Sequence, residues 1–220
     1  AKFISSHETR LFLGNVDVGG TTYPTRYYFS SSGTGGSLSW NANDYYVLPN
    51  ILTGWGKVGE SQLVFTEYET FRADAYDKKL IGNVGAISNT IATTKNNWCV
   101  FANRDGAFAT NGADVQKFSH AVDDYFEGIT KSALSSLTGA VKGDHYYLFI
   151  GDITLDGETI SNVVLDYDVT QNKWSRYSLG ENARHLHTFI DSSGNEDLYF
   201  GNDDGEVWKM FSVDIWMRNW

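Results

Sequence analysis

Apolar and polar positions alternate in short runs along the chain, and turn-forming residues separate the runs. The clearest example is residues 198–211, where two apolar runs flank a polar turn. The turn residues are Asn202, Asp203, Asp204 and Gly205. Since Asn and Gly tolerate positive φ, this segment predicts a β-hairpin. Residues 98–109 repeat the arrangement, with Asn103, Arg104, Asp105 and Gly106 at the turn. A hairpin that occurs twice indicates an array of similar units.

The same pattern predicts further strands along most of the chain. They include residues 23–30, 40–48, 63–65, 68–71, 146–150, 162–167 and 174–177. Residues 119–127 differ, because their apolar side chains recur at helical spacing. Ser119 is a suitable N-cap and Gly128 a suitable stop, so we predict one short helix there.

Counting these hairpins gives about five repeated units. They end near Phe29, Tyr76, Phe118, Tyr177 and Phe211. Spacings of roughly 35–60 residues bracket the ~40–50 expected for four-stranded propeller blades. We therefore predict an all-β fold, a β-propeller of about five blades (four to six), as a single domain over residues 1–211. Residues 212–220 are expected to begin a following segment or to end a fragment. A β-sandwich and a β-solenoid are the alternatives, and both explain the period less well.

Composition supports short strands and limits the partners. Aromatic residues make up 15% of the 220 residues, with 22 Gly and only 2 Pro, which favours strands joined by glycine turns. The net charge of −10 argues against a tight grip on nucleic acid, which needs clustered Lys and Arg. Cys99 is the only cysteine, so we expect a small buried side chain and no internal disulfide. No apolar run is long enough to predict membrane insertion.

Six segments, in this order and spacing, resemble the β-propeller structural proteins of tailed bacteriophages and prophages. They are residues 6–12, 26–30, 62–67, 82–88 leading into 101–106, 168–175, and 198–205. The resemblance covers the chain from about Phe3 to Phe211. It implies a component of the tail, baseplate or head-to-tail connector, although the extra domains that such proteins often carry are lacking.

This resemblance implies a structural virion protein that acts through shape and assembly contacts, without catalysis or cofactor. Its expected partners are other virion structural proteins in an oligomeric assembly within the virion, which is assembled in the host cytoplasm. The acidic charge suggests that DNA passes nearby without being tightly held, since a negative wall repels phosphates.

Tryptophans are the first candidates for ligand contact. Most of them are expected to pack between neighbouring sheets; they are Trp40, Trp98, Trp174 and Trp208. Trp55 lies between Gly54 and Gly56, which predicts an exposed loop and a surface or glycan contact. The alternative function is therefore a glycan- or receptor-binding, lectin-like propeller.

Other polar groups give weaker indications of chemistry. His185 and His187 share a strand face but lack further ligands at a diagnostic spacing, so we predict no metal site. Residues 191–197 resemble a calcium loop but lack its glycine and closing glutamate, so a polar turn is favoured.

The available carboxylates are Asp123, Asp124, Glu127, Asp152 and Asp166. Nothing in the sequence pairs two of them, so a glycoside hydrolase is the weaker alternative and we predict no enzyme.

Overall fold

A computed structural model describes residues 1–33 and 38–211 of the chain. In these residues it has nineteen β-strands and one short α-helix. The strands form five antiparallel sheets, numbered here in chain order, and each strand pairs with its neighbours in sequence. The predicted all-β class with one short helix is thus confirmed. The segment predicted for residues 212–220 lies outside the described residues.

The sheets follow one another along the chain. Sheet 1 contains β1 (Phe3–His7), β2 (Arg10–Val18), β3 (Thr21–Phe29) and β4 (Tyr45–Val47). Sheet 2 contains β5 (Leu52–Val58), β6 (Ser61–Thr66), β7 (Thr70–Ala73) and β8 (Lys78–Gly82). Sheet 3 contains β9 (Ala92–Thr93), β10 (Cys99–Asn103), β11 (Gly106–Thr110) and β12 (Val115–Lys117). Sheet 4 contains β13 (Thr138–Lys142), β14 (His145–Leu155), β15 (Glu158–Asp168) and β16 (Lys173–Ser178). Sheet 5 contains β17 (His185–Ile190), β18 (Glu196–Gly201) and β19 (Val207–Lys209).

The first of the repeated units predicted from the sequence ends later than expected. A boundary near Phe29 is wrong, because β4 returns to pair with β3 and places Tyr46 opposite Tyr27. Their rings lie 5.5 Å apart. Aromatic pairing across strands therefore extends sheet 1 to Val47.

The predicted helix consists of two short pieces. A 3₁₀ turn, His120–Val122, leads into α1 (Asp123–Glu127), and further 3₁₀ turns lie at Ser88–Thr90 and Ala133–Ser136. Ser119 makes no side-chain cap. Its hydroxyl donates instead to Asp123 Oδ1 at 2.9 Å, so Ser119 occupies the predicted N-cap position without capping a backbone amide through its side chain. An N-cap hydroxyl accepts from a backbone amide, whereas the Ser119 hydroxyl donates to a carboxylate that also binds Lys117 at 2.8 Å.

The chain divides into two compact units. The first comprises residues 1–88 and 110–115. Its core contains Phe12, Tyr27, Val64 and Phe71, and partly buried aromatic side chains pack against it. Sheets 1 and 2 thus share an aromatic-rich interior, which is the packing expected of wedge-shaped spaces between twisted sheets.

The second unit comprises residues 89–109 and the chain from Gln116 onward. One face of sheet 4 packs on sheet 5 through Phe149, Leu198 and Phe200. Near the opposite face of sheet 4, the Trp174 ring stacks on Phe118 at 5.5 Å, and Trp174 Nε1 donates to Phe118 O at 3.2 Å. Sheet 4 therefore has packing partners on both faces.

Gly85 marks the tightest backbone approach in the first unit. The segment that follows sheet 2 lies against the turn between β6 and β7, where Ala86 N donates to Thr66 O at 3.1 Å. A Cβ on Gly85 would meet Glu67 C and Thr66 O, each at 2.2 Å. Only glycine fits this approach.

The β14–β15 hairpin is longer than the sheet that contains it. β13 pairs with residues 145–149 of β14, and β16 pairs with residues 163–168 of β15. Register shifts flank Gly151, whose φ is 75°. Beyond that bulge the hairpin continues as a two-stranded ribbon, which re-aims its side chains relative to the rest of sheet 4.

Candidate functional site

One face of sheet 5 is exposed on its two outer strands and half-buried on the central strand. We call it the open face of sheet 5, and its residues are His185, His187, Phe189, Tyr199, Val207 and Lys209. Alternation along each strand places these side chains on one face. In the register His187 lies opposite Tyr199 and Tyr199 opposite Lys209, while His185 and Val207 flank Gly201 and Phe189 lies opposite Asp197. The intervening residues, such as Leu186 and Phe200, are buried in the core. Phe189 is 58% exposed and Val207 is 73% exposed, so the open face presents apolar area to its surroundings.

Charge on the open face is small. The rings of His185 and His187 are stacked 6.3 Å apart. Burial, followed by the neighbouring His187, lowers the pKa of His185 below its usual value, so His185 is neutral at pH 7. Lys209 Nζ lies 2.6 Å from Asp197 Oδ2, which cancels the one lysine charge. Apolar, aromatic and uncharged groups are the typical composition of a protein contact surface.

His145 lies between two carboxylates at the edge of sheet 4. Its Nδ1 is 2.8 Å from Asp166 Oδ1, and its Nε2 is 4.0 Å from Asp168 Oδ2. Asp166 is only 4% exposed, and its pKa is raised by burial, against the opposing effects of His145 and Tyr177. Within the described part of the chain, no Ser, Thr or Cys side chain forms a hydrogen bond with His145. This cluster therefore resembles a buried polar network more than a nucleophilic site.

The structure places Trp55 in strand β5, and the predicted exposed loop is wrong. The Trp55 ring lies 5.5 Å from Tyr27 and 5.9 Å from Phe12, in edge-on contact with both. Its Nε1 is buried and has no hydrogen-bond partner among the described residues. Gly54 and Gly56 are buried strand positions beside a register shift, and glycine in a strand often marks such a bulge. The Trp55 ring is half-buried, and the surface or glycan contact expected there stays a prediction.

Both predicted hairpin turns lie between paired strands. In the turn from β10 to β11, Asn103 Oδ1 accepts from Asp105 N at 2.7 Å, and Gly106 has φ 139°. The turn from β18 to β19 is built in the same way. There Asn202 Oδ1 accepts from Asp204 N at 3.1 Å and from Glu206 N at 2.9 Å, and Gly205 has φ 80°. Asparagine side chains thus organise both turns.

The predicted carboxylates are not brought together. Asp123 binds Lys117 and Ser119, Asp152 accepts from Asn162 N, and Asp166 binds His145. In residues 191–197, Asp191 Oδ1 accepts from the backbone amides of Ser193 and Asn195, which makes this segment a self-contained polar turn. The described residues contain no group of three or more potential metal ligands and no helix long and apolar enough to cross a membrane.

One arrangement in the second unit was missed by sequence reasoning. The Asp203 carboxylate, in the turn between β18 and β19, holds Arg184 by a two-point contact and also accepts from Asn182 Nδ2 at 3.1 Å. Arg184 Nη1 donates to Ser136 Oγ at 3.0 Å. These residues are far apart in sequence, so only the folded backbone reveals the cluster.

Known structures identify the architecture that these sheets form. The sequence matches no protein-family model and no curated protein. The crystal structure of BBS1N in complex with ARL6DN matches 98% of this chain, with a TM-score of 0.58 and 15% identity. BamB from Moraxella catarrhalis matches 94%, with a TM-score of 0.50 and 14% identity. The fold is a β-propeller.

This propeller also resembles the extracellular domain of BT4673 from B. thetaiotaomicron, with a TM-score of 0.53 and 10% identity over 96% of the chain. The chain spans 65% of the BBS1N chain, 59% of BamB and 26% of the BT4673 domain. At sequence identities this low, the structural similarity shows a shared fold but does not show a shared activity. The phage family suggested by the six sequence segments therefore remains a proposal.

Proposed function

We propose that this propeller is a structural component of a tailed phage-like particle and acts through contacts with other proteins of that particle. The open face of sheet 5 carries the proposal. Its exposed Phe189 and Val207 offer apolar area without a free charge, which is a surface suited to another protein. The six ordered sequence segments support the assignment to a particle of this type.

The proposed role needs no catalysis and no cofactor. The protein is located in the virion, where it forms part of an oligomeric assembly. The net charge of −10 suits a protein near which DNA passes without being tightly held, because like charges repel the phosphates.

Incorporation into particles tests this function. A host deleted for the gene is complemented with the parent or with the double variant Phe189→Asp and Val207→Asp, and purified particles are analysed by mass spectrometry. We expect the parent to be present in stoichiometric amount and the double variant to be depleted at least tenfold, because two buried carboxylates disfavour a protein contact.

The matched control is Tyr68→Asp, which changes an aromatic side chain that is 63% exposed in the first unit. It should be incorporated like the parent. Circular dichroism and thermal unfolding should show that all three proteins are folded. Absence of the parent protein from purified particles would contradict the structural role, whereas equal loss of both variants would contradict the role of the open face.

A further inference from the structure

A cavity of about 420 Å³ opens within the second unit. The two-stranded ribbon of the β14–β15 hairpin forms one wall, with Asp152 and Thr154 on it. The segment between α1 and β13 forms a second wall, and the segment leading into β17 forms a third. Buried Phe149 and Ile150 lie at its base. This volume is within the range of roughly 300–1,000 Å³ that small-molecule sites occupy.

Arg184 makes three side-chain contacts where it lines the cavity. Its Nη2 donates to Asp203 Oδ2 at 2.9 Å, its Nε also contacts Asp203, and its Nη1 donates to Ser136 Oγ at 3.0 Å. The same carboxylate fixes Asn182. One aspartate therefore positions two cavity residues, and such pre-positioning lowers the entropic cost of binding.

The paired charges leave the cavity without a free cation. Through their hydrogen bonds the Asp203 carboxylate raises the pKa of Arg184 and the Arg184 guanidinium lowers the pKa of Asp203, so both groups stay ionised and compensate one another. Asp152 adds a carboxylate to the lining. An anionic ligand would therefore meet a net negative site, which disfavours phosphates and acidic sugars.

The remaining lining groups can both donate and accept hydrogen bonds. Thr154, Thr159 and Asn162 make no side-chain hydrogen bond to the described residues, and all three line the cavity. Asp152 uses Oδ1 to accept from Asn162 N at 2.9 Å. Hydroxyl and amide side chains of this kind are suited to ligands whose own polar groups both donate and accept hydrogen bonds.

We propose that this cavity binds one unit of a neutral saccharide through the hydroxyl groups of the sugar. The ring lies between the ribbon and Arg184, the threonine hydroxyls and the Asn162 amide bond its hydroxyls, and Asp152 accepts from another. A metal ion does not fit, since the described residues provide no cluster of three ligands. This inference is independent of the open face of sheet 5, which lies outside the cavity lining.

Nuclear magnetic resonance of the ¹⁵N-labelled protein tests the proposal directly. The reporters are the Arg184 Nε–H and the side-chain amides of Asn162 and Asn182. A panel of neutral methyl hexosides and N-acetylhexosaminides is titrated, with inorganic phosphate, glucuronate and a neutral tripeptide as comparisons. We expect at least one neutral glycoside to shift all three reporters with a Kd of about 1 mM, as small polar ligands bind weakly.

Variants separate this site from non-specific contact. Asn182→Ala combined with Thr154→Val should weaken binding of that glycoside at least tenfold, whereas Asn43→Ala, an exposed asparagine in the first unit, should leave it unchanged. Asp203→Asn frees the Arg184 charge, so it should gain binding of glucuronate. The proposal is overturned if no glycoside of the panel shifts the reporters, if phosphate or the tripeptide shifts them instead, or if Asn43→Ala weakens binding equally.

Discussion

Replacing Gly85 with alanine tests the close backbone packing beside sheet 2. The added Cβ would lie 2.2 Å from Glu67 C and from Thr66 O, and 2.4 Å from Glu67 O. These are backbone atoms, so no side-chain rotation relieves the overlap, and the segment must move away from the turn. Such overpacking costs about 1–3 kcal/mol.

The displacement also threatens the hydrogen bond from Ala86 N to Thr66 O, which contributes about 0.5–1.5 kcal/mol. The lower entropy of the unfolded alanine chain offsets about 0.4–1 kcal/mol. From the middle of these ranges we expect a net loss of about 2 kcal/mol in the free energy of unfolding. For a chain of this length the Tm should fall by about 4–8 °C.

Differential scanning calorimetry and urea unfolding measure the effect. Gly180→Ala is the matched control, because its Cβ would have no atom within 4 Å and its φ is not positive. This control should be as stable as the parent or slightly more stable. A Gly85→Ala protein whose Tm lies within about 1 °C of the parent's would refute the packing argument.

Three further predictions concern single side chains. Asp166→Asn should be at least as stable as the parent at pH 7. The stability of the variant relative to the parent should fall as the pH is lowered to 3.8, the pKa of the carboxyl in the unfolded chain. The reason is that burial raises the folded pKa, so the parent loses stability as the pH rises through it; urea unfolding from pH 4 to 7 measures the trend. Trp174→Ala should cost about 2–4 kcal/mol because it removes the Phe118 stack, whereas Trp208→Ala, at a residue 36% exposed, should cost under about 1 kcal/mol; chemical denaturation compares them. Cys99 is fully buried, so it should react with a thiol reagent in the spectrophotometric assay only after unfolding.

Local signals in the sequence predicted much of the fold. Asn202 and Gly205 mark a turn because their backbone preferences act within a few residues. The helical spacing of Val122 and Phe126 predicted α1 for the same reason. The count of about five units followed from such turns and is confirmed by the five sheets.

Features that depend on distant partners were not predictable in the same way. β4 is separated from β3 by a long Ser- and Gly-rich segment, so nothing local indicates that Tyr46 pairs with Tyr27. Glycines beside Trp55 indicated a loop, yet they lie in a buried strand next to a bulge. The cluster of Arg184 and Asp203 needs the register of sheet 5 before its members can be placed together.

The ribbon of β14 and β15 beyond Gly151 has a dynamic consequence. Because neither β13 nor β16 pairs with this part of the hairpin, its amide protons depend on a single strand pairing, and an isolated two-stranded hairpin is only marginally stable. Its amides should therefore exchange with solvent faster than those of the paired half, through local opening that leaves the sheet intact. Since the ribbon forms a wall of the cavity, a bound molecule would slow this exchange, and hydrogen exchange would report occupancy without any substitution.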